Sequence, residues 1–130
     1  MKLLKLTFLL LLPITSLFAQ SKTAPVITDA FSDSLKVQIP RIAPTELSIK
    51  KITYVGNIAA DGKVMKALIM RQEGGGSEAE AKFVVTLRAL ILAAPAWKPA
   101  FDTASNTAVE DEVKFTIELK KGDVKIKQDK

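Results

Sequence analysis

The sequence predicts an α+β domain: a small antiparallel sheet of about three strands, in chain order β-β-α-β, with one main helix packed on one face. Three observations carry this. Asp61-Gly62 lies between two β-favouring runs, which is a hairpin signal. A helix with both ends marked follows between Ser77 and Pro95. Glu112–Lys120 then alternates apolar and polar residues, as a strand with one buried and one wet face does.

In the first strand, Ile52, Tyr54 and Ile58 supply apolar positions, and residues 52–58 alternate. Gly56 stands where a side chain would otherwise be, which implies a bulge or close packing under the helix. Val64–Met70 is the return strand. Its two faces, Val64, Lys66, Leu68, Met70 and Met65, Ala67, Ile69, are both largely apolar, so pattern alone does not choose the buried one.

The helix is the best-specified element. Ser77 and Glu80 form a capping box, each side chain placed to bond the other's amide. Pro95 drives Ala94 out of the helical region, so the helix spans about Glu78 to Ala93. At 100° per residue Phe83, Val84, Leu87, Leu90, Ile91 and Ala94 share the main apolar face. Val85 and Leu92 point almost opposite. Either a local segment such as that before Pro44 covers them, or they form a second partner surface.

In the last strand Val113, Phe115, Ile117 and Leu119 point inward, and Lys114, Thr116 and Glu118 outward. Asp102–Val109 reads as a polar loop, and Lys121-Gly122-Asp123 as a turn into a short final strand, Val124–Lys127. Trp97-Lys98-Pro99 cannot be helical, and Trp97, the sole tryptophan, is expected to fill the core between helix and sheet.

The chain divides into 1–19, 20–45, 46–127 and 128–130. Lys2 and Lys5, the apolar run Leu6–Leu12 and the small-residue exit ending at Ala19 describe a secretory signal peptide. Broken by Pro13, this stretch falls short of the roughly 20 apolar residues that span a bilayer. A periplasmic or secreted protein with no stable membrane insertion after cleavage is expected. Residues 20–45, punctuated by Pro25, Pro40 and Pro44, read as a leader or linker with a short strand or helical turn where Phe31, Leu35 and Val37 dock. Residues 46–127 are the domain and 128–130 a tail.

Composition narrows the function. The chain of 130 residues has neither cysteine nor histidine, which removes disulfides, thiol nucleophiles, imidazole bases and zinc sites with such ligands. Loss of Lys2 and Lys5 lowers the formal net charge from +5 to +3. One Trp, one Tyr and six Phe give no basic face interleaved with stacking aromatics, so nucleic acid is not an expected partner. Asp61 reads as a turn residue, Glu78 and Glu80 as helix-start residues and Glu110–Glu112 as a strand lead-in. No acid–base pair emerges, and neither catalysis, a metal nor a cofactor is expected.

The succession Asp61-Gly62-Lys63-Val64, GGGSEAEA at Gly74–Ala81, APAWKPA at Ala94–Ala100 and VKFTIEL at Val113–Leu119 resembles the carboxy-terminal domain of TonB and its relatives, in the form common in Bacteroidetes. The resemblance covers about residues 47–120. It departs at Ala100 and at Thr103–Ala108, where the family has glycines, and at Gly56, where it often has an aromatic residue. The resemblance implies the fold without the membrane anchor and proline-rich spacer of an energy transducer. It further implies a periplasmic interaction module linked to TonB-dependent outer-membrane transport. In the family an extended receptor peptide adds to the edge of the last strand, which here would use Glu112, Lys114, Thr116, Glu118 and Lys120. The expected partner is therefore a protein or peptide, such as an outer-membrane receptor segment, unless that edge is already covered by the chain's own Val124–Lys127 or by a second copy of the chain. The alternative is a small exported inhibitor or ligand-binding domain that reuses the fold.

Overall fold

The computed structural model describes residues 22–120 and 123–129. The expected signal peptide, the Lys121-Gly122 turn and Lys130 lie outside them. The elements in order are β1 (Lys22–Thr23), α1 (Asp29–Ile42), β2 (Lys51–Ile58), β3 (Val64–Glu73), α2 (Glu78–Ala93), β4 (Ala100–Asp102), β5 (Thr107–Val109), β6 (Asp111–Lys120) and β7 (Asp123–Gln128). The class is α+β, as expected, but the described residues form two antiparallel sheets and two helices. The main sheet has the order β3-β2-β6-β7, and a smaller one the order β1-β4-β5.

The largest correction is α1, which occupies what reads in sequence as a leader. Thr28 caps it, its hydroxyl accepting from the Phe31 amide at 3.2 Å. Phe31, Leu35 and Ile39, spaced four apart, make one apolar stripe and are buried to 1% exposure or less. Val37, expected to dock, points outward at 54% exposure. Pro40 lies in the last turn, where it removes one amide donor but leaves most of the helix intact.

The hairpin forms at Asp61-Gly62, though with a longer loop than two residues. The Ala59 amide donates to the Lys63 carbonyl, closing around Ala60, Asp61 and Gly62. Gly62 has φ +89°, and a Cβ there would meet the Trp97 carbonyl oxygen at 2.0 Å. The Trp97 amide donates to the Gly62 carbonyl at 2.7 Å, so the turn and the Trp-Lys-Pro element hold each other. Gly56 serves close packing, since a Cβ would lie 3.2 Å from the Phe115 ring.

Helix α2 runs over the expected residues with the capping box complete. Its Phe83, Leu87 and Ile91 join the stripe of α1, the inner residues of β2 and β6, and Trp97 in one core. Trp97 meets Phe31 at 5.2 Å and Phe115 at 5.4 Å between ring centroids, both edge-on, and Tyr54 stacks on Phe115 at 5.3 Å. The stretch read as a polar loop instead holds the hairpin β4–β5, turned at Asn106 with φ 55°. Gln128, assigned to the tail, ends β7 and is tied down: its side chain accepts from the Ile27 amide and donates to the Pro25 carbonyl.

Candidate functional site

The residues expected at an open edge are on β6, and β6 is not an edge. It pairs with β2 along Asp111–Glu118 and with β7 along Phe115–Lys120. The physical reason is that the short final strand folds back along it. Glu112, Lys114, Thr116, Glu118 and Lys120 do share the outer face, but a partner strand cannot reach their backbone where β7 already pairs. Nor is that face uniformly wet. Thr116 is 6% exposed, with its hydroxyl 3.2 Å from that of Thr53 and donating to Asp129 at 3.2 Å. Glu118 accepts from the Lys127 ammonium at 3.3 Å, which holds its carboxyl below the usual range.

Among the described residues the edges of the main sheet are β7 and β3. Strand β7 is six residues long, with Lys125 and Lys127 exposed on it. Strand β3 has ten residues and a different surface: Met65, Leu68, Ile69 and Met70 are 42–55% exposed. Its register against β2 shifts twice, leaving Met65 and Met70 as the extra residues of two bulges. The first bulge resets the alternation, so the buried residues, Val64 and Ala67, come one from each of the two faces read in sequence.

Backbone direction on β3 follows from the ladder. The Asp129 amide donates to the Lys114 carbonyl, so even-numbered residues of β6 face β7 and odd-numbered ones face β2; even-numbered residues of β2, their partners, thus face β6 and odd-numbered ones face β3. Val55–Leu68 and Asn57–Lys66 are then the bonded pairs. Ala67 and Ile69 direct their N–H and C=O groups away from the sheet.

Helix α2 packs on β3. Its opposite flank is marked by Ala79, which with Ser77, Glu80 and the end of α1 lines a cleft of about 960 Å³. Val85 and Leu92 lie far round the helix from Ala79 and are 72% and 37% exposed. Helix α1 therefore covers the other flank, and the segment before Pro44 does not shield these two residues.

Glu80 does more than cap. Its carboxylate accepts from the Ser48 amide at 2.8 Å, the Ile49 amide at 3.1 Å and the Ser48 hydroxyl, as well as from Ser77. Burial pushes its pKa up, but the bonds from Ser48 and Ser77 outweigh that and hold it at about 2. A carboxylate so saturated joins α2 to the approach to β2 and has little capacity left for a ligand. Burial pushes the Tyr54 hydroxyl up, opposed by Arg88. The Tyr54 hydroxyl and Trp97 Nε1 are buried without a hydrogen-bond partner among the described residues.

Among the described residues no three acidic groups gather as a metal site, and no helix is long and apolar enough to cross a membrane. Sequence reading missed β3 as the exposed edge, although one signal was present: Val64–Met70 is apolar on both faces. No protein-family model, curated protein or solved structure matches the chain.

Proposed function

We propose that this chain is an exported protein-interaction module that takes an extended segment of a protein partner onto the edge of its main sheet at β3. The observation that carries the reading is a ten-residue edge strand with four large apolar side chains half exposed. Bulges at Met65 and Met70 blunt this edge only in part, because the stretch Lys66–Ile69 between them keeps a regular register. Outward N–H and C=O groups at Ala67 and Ile69 supply backbone bonds, and the alternate side chains supply selectivity. The resemblance to TonB carboxy-terminal domains suggests the same mode of recognition and a setting in outer-membrane transport. The surface, however, moves from the last strand to the opposite edge. The signal-peptide pattern supports a periplasmic location. Reuse of the fold for a small ligand has less support, because Glu80, one of three acidic residues lining the cleft at the end of α1, is already saturated with hydrogen bonds.

The test is a photo-crosslinking amino acid placed at Met70 on β3 or at Lys125 on β7 of the full-length protein in cells. Protein adducts from Met70 and few from Lys125 are expected. Adducts from Lys125 alone would overturn the assignment of the edge.

A further inference from the structure

We propose that the segment paired on β3 is β3 of a second copy of this chain, joined antiparallel across a two-fold axis through Leu68. This rests on β3 being the partner edge, and commits it to one occupant.

Symmetry restricts the registers. A two-fold that relates antiparallel neighbours stands perpendicular to the sheet. Bonded and non-bonded pairs alternate along the ladder, so such an axis can pass only where a residue faces itself. Centred on Leu68, Ala67 of each copy lies opposite Ile69 of the other. These are the residues whose N–H and C=O point outward, so each pair exchanges both backbone bonds. On the inner face the small, buried Ala67 sits beside the large, half-exposed Ile69 of the other copy. On the outer face Leu68 meets Leu68 in a non-bonded pair, where side chains approach most closely.

Charge selects the same register. With Leu68 at the axis, Lys66 faces Met70 and Arg71 faces Met65. One step beyond the strand, counting across the bulges at Met65 and Met70, Lys63 comes opposite Glu73, which also pairs with Arg71 of its own copy at 3.5 Å. Centring on Ala67 would set Lys63 against Arg71, a like-charge pair. Centring on Met70 would set Glu73 against Ala67, and centring on Ile69 forms no ionic pair.

The helices add the remaining surface. A two-fold perpendicular to the sheet keeps both copies of α2 on one side of it. The flanks that carry Val85 and Leu92 then face each other across the seam. A stable interface buries about 1,200–2,000 Å² in total, more than one short ladder covers, and these flanks extend it. One occupant thus covers the apolar edge and the apolar helix flank together.

The chain has no cysteine, so single cysteines report the register directly. Cα atoms of a non-bonded pair lie about 4.5 Å apart, within reach of a disulfide. The mature protein with Leu68→Cys should form a disulfide-linked dimer on mild oxidation, and Lys66→Cys should not. Sedimentation equilibrium of the unaltered protein should show a dimer. Leu68→Arg and, separately, Val85→Glu should each weaken it by about tenfold or more with circular dichroism unchanged, whereas Val37→Glu on α1 should leave it intact. A monomer up to 100 μM (roughly the weak end of specific association), with Leu68→Cys linking no better than Lys66→Cys, overturns the proposal. If photo-adducts from Met70 then contain other proteins, the interaction reading survives, and without adducts both fail. Linkage through Ile69→Cys in place of Leu68→Cys overturns the register.

Discussion

If α1 is part of the core, Leu35→Ala should destabilise the domain about as much as a cavity in any native interior. Leu35 is 0% exposed, between Phe31 and Ile39 on the stripe. Returning a leucine side chain to water costs roughly 1.5–3 kcal/mol, and the incompletely closed cavity brings the total to about 2–5 kcal/mol. For a domain of this size each kcal/mol lowers Tm by about 4–8 °C. Val37 lies on the same helix at 54% exposure. Val37→Ala there loses little burial and gains helix propensity, so its effect should stay within about 0.5 kcal/mol of zero. Ile39→Val, at about 0.5–1.5 kcal/mol, provides a measurable step should Leu35→Ala prove too unstable. The assay is urea unfolding followed through Trp97, whose ring touches Phe31 of the same helix. Equal midpoints for Leu35→Ala and Val37→Ala would show that α1 is not part of the cooperative unit.

Three further expectations concern polar groups and backbone. Glu80 has a pKa depressed to about 2, so the stability it contributes is present above its unfolded value, about 4.5. That stability should fall as pH drops from 4.5 towards 2, and the loss should be absent in Glu80→Gln when urea midpoints are compared across pH. Tyr54→Phe removes a buried hydroxyl without a partner among the described residues, and should raise stability by about 1 kcal/mol; a loss of that size would reveal a partner. Thr116→Pro should unfold the domain, because β6 pairs on both sides, whereas a proline at an edge strand would be tolerated. Far-ultraviolet circular dichroism retaining its native form in Thr116→Pro would contradict the strand order.

Much of the core was legible because it obeys simple periods. The stripe of α2, its capping box and the inward residues of β6 follow from spacing alone. Helix α1 was hidden by Pro25, Pro40 and Pro44, although Thr28 followed by Phe31, Leu35 and Ile39 carries both a cap and a stripe. Pro40 read as a stop, whereas in the last turn it removes one donor among several already unpaired. The faces of β3 could not be chosen, because a bulge at Met65 changes the alternation and nothing in the residue types marks a bulge there. Of the outward residues of β6, Glu112, Lys114 and Lys120 are exposed as their polarity suggests, whereas Thr116 is buried. Periodicity reports which residues share a face. Whether a neighbouring strand lies beside them depends on where β7 comes to rest, and Gln128, bonded to Pro25 and Ile27 about a hundred positions away, helps to fix that.

The two edges of the sheet are protected in different ways, and the difference bears on assembly. Lys125 and Lys127 guard β7, which is short, and charged side chains on a short strand oppose further pairing. On β3 the guard is geometric: bulges at Met65 and Met70 leave only Lys66–Ile69 as a regular stretch. Bulges twist a strand out of long, flat alignment, yet a stretch of this length can still exchange bonds at Ala67 and Ile69. Open-ended growth needs two receptive edges on each molecule, and this domain offers one. In the two-fold pairing proposed above, each copy uses its β3 and presents only the lysine-bearing β7 at the outside. The assembly then closes at two. An exposed apolar edge that would threaten aggregation in an unpaired domain is, under this symmetry, self-limiting, and the same logic predicts that making β7 receptive, by Lys125→Val and Lys127→Val together, would convert a closed dimer into a polymer detectable by light scattering.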